Sequence, residues 1–95
     1  MIKVVAKMTL SPEAKENALP VLEELIAMTV QEDGCVNYNF CADNANADEY
    51  AIIETWETQE ALDVHSNSEH FGRLVPKLAD LATGDIQIFA YTVLI

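Results

Sequence analysis

The chain has 95 residues, 51% of them hydrophobic, which suits a single domain, residues 1–95, with a core of its own. Five basic residues against sixteen acidic ones give a formal charge of −11. A surface this acidic repels phosphate backbones and anionic lipid heads, which argues against nucleic-acid and membrane-surface partners. No apolar run approaches the roughly 20 residues of a membrane span and no signal-peptide pattern opens the chain, so the cytoplasm is the expected location.

Residues 2–10 alternate, with Ile2, Val4, Ala6, Met8 and Leu10 against Lys3, Val5, Lys7 and Thr9, and predict a first strand. Ser11-Pro12-Glu13 supplies an N-cap, a proline at the first helical position and an acid in the first turn. The helix that follows carries the stripe Ala14, Ala18, Val21, Leu22, Leu25 and either Met28 or Thr29, is kinked at Pro20, and is closed by Gly34. Cys35 to Cys41 reads as a second strand, with Val36, Tyr38 and Phe40 on one face. Its two cysteines lie six residues apart, roughly 20 Å at about 3.3 Å per residue. That is beyond disulfide reach, and with no CxxC spacing they read as small core residues rather than a disulfide or a zinc site.

Asp43 to Asp48 is a polar turn. Tyr50, Ile52, Glu54 and Trp56 then share one face of a third strand. Thr58 caps a short helix on which Ala61, Leu62 and His65 fall on one side. Ser66-Asn67-Ser68-Glu69 reads as a capping box for another helix, whose stripe is Phe71, Leu74, Val75, Leu78, Leu81. Pro76 predicts a bend there or two consecutive helices. Gly84 ends the run, and residues 86–94 form a fourth strand.

The order β-α-β-β-α-β is that of an α+β, ferredoxin-like fold with a four-stranded antiparallel sheet. The last strand is apolar on both faces: Ile86, Ile88, Ala90, Leu94 against Phe89, Tyr91, Val93. Two helices cover one side of such a sheet, so its free side is expected to meet a second copy in a homodimer.

Glu54-x-Trp56, Ala61-Leu62, His65, Ser68, His70 and Phe71, preceded by Glu32-Asp33-Gly34-Cys35-x-x-Tyr38, resemble the antibiotic biosynthesis monooxygenase (ABM) family, which includes small quinol and anthrone monooxygenases. The resemblance covers nearly the whole chain and implies a dimeric α+β barrel. In fold it also extends to haem-degrading oxygenases. Those carry a tryptophan where this chain places His65, a histidine where it has Val75, and an asparagine where Lys7 or Met8 stands.

The residues offer little cofactor chemistry. There is no glycine-rich phosphate loop, Walker lysine or dinucleotide fingerprint. Two histidines five apart across a capping box share no helical face, so no metal pair is expected. One chemistry runs without cofactors: a deprotonated electron-rich aromatic passes an electron to O₂ itself. His65 is the expected base, because an imidazole titrates near 6.5. Glu54 either orients it or is a buried carboxylate paired elsewhere. Trp56, Tyr38, Phe71 and Tyr50 are candidate walls for a flat substrate, and His70 stands near them. The expected activity is a cofactor-independent monooxygenase acting on a small aromatic with O₂. The alternatives are a non-catalytic ligand-binding dimer and an isomerase of a small signal ketone, the latter at odds with so few basic residues.

Overall fold

Alternation builds the central strand, β1 (Ile2–Thr9), as read from the sequence: Ile2, Val4, Ala6 and Met8 are all buried. In the computed structural model, which describes residues 1–95, it is followed by α1 (Pro12–Thr29), β2 (Cys35–Ala42) and β3 (Glu49–Trp56). Then come α2 (Gln59–Ser66), α3 (Glu69–Leu81) and β4 (Gln87–Thr92). The sheet order is β2-β3-β1-β4 with every neighbouring pair antiparallel, an α+β ferredoxin-like arrangement.

One sheet face carries the core. Register places Ile2 opposite Trp56, Val4 opposite Glu54 and Ala6 opposite Ile52, with Tyr38 opposite Glu54 on the far side of β3. Ala18, Leu22 and Leu25 of α1 and Leu74 and Leu78 of α3 pack in the same cluster. Each buried leucine contributes about 1.5–3 kcal/mol relative to exposure. Arg73 on α3, although partly exposed, joins Glu24 of α1 at 2.7 Å and Glu69 at 2.8 Å, tying the two helices together.

Several local expectations change. Helix α1 ends at Thr29 with Val30 as its cap, five residues before Gly34 would close it. Gly34, at φ +83°, instead ends the turn into β2. A Cβ there would lie 2.5 Å from Ala61 Cβ, so glycine lets α2 come down onto this turn. The Gly34 carbonyl also accepts the Glu57 N–H at 2.8 Å. A bulge falls between Cys35 and Asn37, so Val36 leaves the face of Tyr38 and Phe40 and is exposed, while Cys35 packs on the core in its place. Thr58 caps α2 as expected, accepting the Ala61 N–H at 3.1 Å. The cap of α3 is Ser68, not Ser66, accepting the Phe71 N–H at 3.3 Å. Ser66 closes α2 by donating to the Leu62 carbonyl. Helices α1 and α3 each continue through their prolines as single elements.

All of β4 is exposed. Ile88, opposite Ala6 on the helix side, is 60% exposed; Phe89 and Tyr91, on the open side opposite Val5 and Lys3, are 42% and 57%.

Candidate active site

The corner between α2 and α3 assembles the titratable groups. His65, in the last turn of α2, is 1% exposed. His70 stands in the first turn of α3. Between them Ser68 donates its hydroxyl to the His65 carbonyl at 2.7 Å, which fixes the angle of the corner, and its oxygen lies 3.3 Å from His70 Nε2. Both imidazoles turn toward one carboxylate from the turn after α1. Glu32 Oε2 lies 2.6 Å from His65 Nδ1 and 2.9 Å from His70 Nε2. The histidines share no helical face, as the sequence implies, yet they sit on two helices that fold around the same acid, so the lack of a common face does not keep them apart.

With Glu32 ionised, the nitrogens facing it carry the protons, and His65 Nε2 is left with its lone pair. That atom is buried and has no hydrogen-bond partner. The ring is walled by Trp56 at 4.7 Å, Phe71 at 5.2 Å edge-on and Tyr38 at 5.4 Å edge-on, measured between centroids. Burial holds the His65 pKa below its ordinary value, although the Glu32 hydrogen bond and charge oppose this. The imidazole is therefore neutral at pH 7.

Glu54 does not orient His65. Its Oε1 accepts the Trp56 indole N–H at 2.9 Å, the second of the two roles open to it from sequence. Burial pushes its carboxyl up to about 7 in spite of that hydrogen bond, and the Glu32 charge adds to the rise. Burial likewise raises the Tyr38 hydroxyl, with Glu54 contributing. Tyr50 shares the strand face but not the cage; it stacks on Phe40 at 5.2 Å. Of the expected residues, the structure thus brings together His65, Trp56, Tyr38, Phe71 and His70, with Glu54 behind Trp56.

Glu32 is the member that residue patterning missed. Its one signal was its place two residues before Gly34 in a segment read for family likeness alone. An open cleft of about 420 Å³ runs beside it, with Asp33, Glu57 and Glu60 on its walls. None of the four surface pockets is lined by His65, Trp56 or Glu54, so the cage is closed.

A four-stranded antiparallel sheet under three helices, with a buried imidazole in an aromatic cage between the layers, defines a small α+β protein with a candidate proton-transfer centre. The profile of the antibiotic biosynthesis monooxygenase family matches residues 1–77, and the chain belongs to that family. A solved antibiotic biosynthesis monooxygenase is 34% identical, with 99% of each chain covered and a TM-score of 0.89. A conserved protein from Methanosarcina mazei Go1 superposes with a TM-score of 0.91 at 30% identity, over 95% of this chain and 89% of that one. An uncharacterized protein, sll1783, of Synechocystis is 27% identical over 92 residues, 97% of this chain. The chain spans 63% of that relative's length. No helix is long and apolar enough to cross a membrane.

Proposed function

We propose that this monooxygenase-like protein oxidises a small electron-rich aromatic of the quinol or anthrone type with O₂, without a cofactor and as a cytoplasmic homodimer. The observation that carries the reading is the buried, partnerless Nε2 of a neutral His65 whose Nδ1 is held by Glu32. A base needs a free lone pair, a fixed tautomer and a dry setting, and this atom has all three. Trp56, Tyr38 and Phe71 offer faces and edges to a flat ring. Because the cage is filled, a substrate must displace one wall. Phe71, half-buried in the first turn of α3, is the wall with a solvent side.

For an anthrone, His65 Nε2 takes a proton from the methylene carbon, and the resulting anion passes one electron to O₂. Superoxide and the substrate radical couple to form a C–O bond. The imidazolium protonates the outer peroxide oxygen, and the neutral Nε2 then takes the second proton from that carbon as the O–O bond breaks, leaving a ketone and hydroxide. The departing hydroxide recovers the proton from the imidazolium as water. One oxygen atom enters the product and one leaves as water. Burial keeps the resting imidazole unprotonated, so its lone pair is free to accept, while it lowers the basicity of that nitrogen.

The dimer rests on the uncovered sheet face, where Ile53, Phe89 and Tyr91 stand exposed. A non-catalytic ligand-binding dimer is favoured by a single observation, the closure of the cage. One experiment separates the readings. His65→Gln should lower O₂ uptake on a panel of dihydroxynaphthalenes and anthrones by about 10²–10⁴-fold after subtraction of autoxidation, with the far-ultraviolet circular dichroism unchanged. Full turnover in the folded variant would make His65 a packing residue.

A further inference from the structure

Both histidines of the chain are committed to one carboxylate oxygen, which is more than orienting a single base requires. His65 Nδ1, His70 Nε2 and a Glu32 oxygen lie within 4.8 Å of one another, a two-imidazole, one-carboxylate donor set. We propose that Glu32, His65 and His70 form a site for a divalent transition-metal ion of the Zn²⁺ type, and that the ion holds the protein in an inactive state.

The donors suit such an ion. Imidazole nitrogen and carboxylate oxygen are ordinary zinc ligands, and three of them leave a fourth position for water. Around a tetrahedral Zn²⁺ at about 2.0–2.1 Å, ligand atoms sit about 3.4 Å apart. The two N···O separations, 2.6 and 2.9 Å, must therefore open by roughly half an ångström or more for the ion to enter. The carboxylate has the freedom to do this, because Glu32 stands in the turn between α1 and β2 rather than in either element. The approach is by way of Glu32, the one of the three ligands that lines an open cleft. That cleft also carries Asp33, Glu57 and Glu60, and these acids raise the local concentration of cations at its mouth.

The consequence for His65 follows from its two nitrogens. Without metal, Nδ1 carries the proton and Nε2 the lone pair. A metal on Nδ1 needs that lone pair, so the neutral ring moves its proton to Nε2. On His70 the ion likewise takes the Nε2 lone pair, so that nitrogen carries no proton. No net proton leaves the His65 ring, and two hydrogen bonds to Glu32 give way to three bonds to the ion. His65 Nε2 becomes a donor and can no longer accept a proton from anything in the aromatic cage. The inactivation rests on the reading of His65 as the base; the binding does not.

The test uses the full chain, stripped with chelator and titrated with Zn²⁺ in a calorimeter. One equivalent should bind tightly enough to titrate at micromolar protein. His70→Gln should weaken binding by at least roughly 10-fold, the lower end of what losing even an outer partner of a zinc ligand costs. Nitrogen-15 spectra of the histidine side chains should show His65 passing from the Nδ1–H to the Nε2–H tautomer as zinc is added, a readout that stands even if the variant does not fold. Turnover of the wild type should fall in step with occupancy and return with chelator. Zinc binding that is absent, unchanged by His70→Gln, or without effect on the His65 tautomer overturns the site. Stoichiometric binding with turnover intact overturns the inactivation alone. Tight binding to a protein with no turnover in its metal-free form leaves the site standing and fails the base reading instead.

Discussion

On the helix side of the sheet, Glu54 lies closed in between Tyr38 and Val4, with His65 sealed against Trp56 above it. On the opposite side, Ile53, Phe89 and Tyr91 stand open to solvent in the same rows as Lys3 and Thr55. The covered face, otherwise apolar, thus holds the ionisable Glu54 and His65, and the open face, beside Lys3 and Lys7, holds exposed aromatic and aliphatic side chains, exceptions to what solvation alone would select. Each exception has its own reading. A charge retained inside demands a partner or a task, and an apolar patch retained outside demands a cover.

The largest effect should come from the open face. In the proposed dimer, carboxylates at Ile53→Asp and Phe89→Asp together would be trapped, unpaired, between two sheets. Unpaired charge in an interface costs several kcal/mol, so the dimer should weaken by more than about 10³-fold. Light scattering should then give the 10.5 kDa monomer, against twice that mass for the wild type. A variant that keeps the wild-type mass would place the interface elsewhere.

A core truncation sharpens the contrast. Leu25 is fully buried on α1, and Leu25→Ala should cost about 2–5 kcal/mol in chemical unfolding. Ile53→Ala in a monomeric background, by contrast, should stay within about 0.5 kcal/mol, because Ile53 on the free monomer is already 43% exposed. Equal losses would mean that the open face is part of the monomer's own core.

Strand and helix patterning made most of this arrangement legible, because its causes are local. The alternation from Ile2 to Thr9 and the caps at Ser11 and Thr58 depend on residues a few positions apart. Proximity of His65 and Trp56 followed from a strand running into a helix. What escaped was set by contacts across distance. Glu32 meets His65 and His70 over 33 and 38 positions, and nothing in the spacing of any one element encodes that. The bulge after Cys35 escaped because Val36 reads as a good strand residue on either face; only pairing with Trp56 and Thr55 reveals the extra residue. Ser68 rather than Ser66 caps α3 because α2 runs on to Ser66, whose hydroxyl is taken by the Leu62 carbonyl.

The last of these effects concerns Glu54, and it lies in the pH dependence of stability rather than in a lost contact. Burial raises its carboxyl to about 7 in the folded chain from an ordinary 4.5. Below pH 4.5 the group is protonated folded and unfolded, and it has no effect on the pH dependence. Between 4.5 and 7 the unfolded chain releases the proton while the folded chain keeps it, so stability is lost as pH rises through this window. Above 7 both states are ionised and the loss levels off, at up to about 3 kcal/mol for a shift of this size. Glu54→Gln keeps an oxygen for the Trp56 indole but has no proton to release. The stability difference between variant and wild type, measured by denaturant unfolding, should therefore grow in the variant's favour from pH 4 to pH 8. The other carboxylates, common to both chains, cancel in that difference. Parallel stability curves would mean that Glu54 is ionised at an ordinary pH inside the fold, with the indole N–H sufficient to hold its charge.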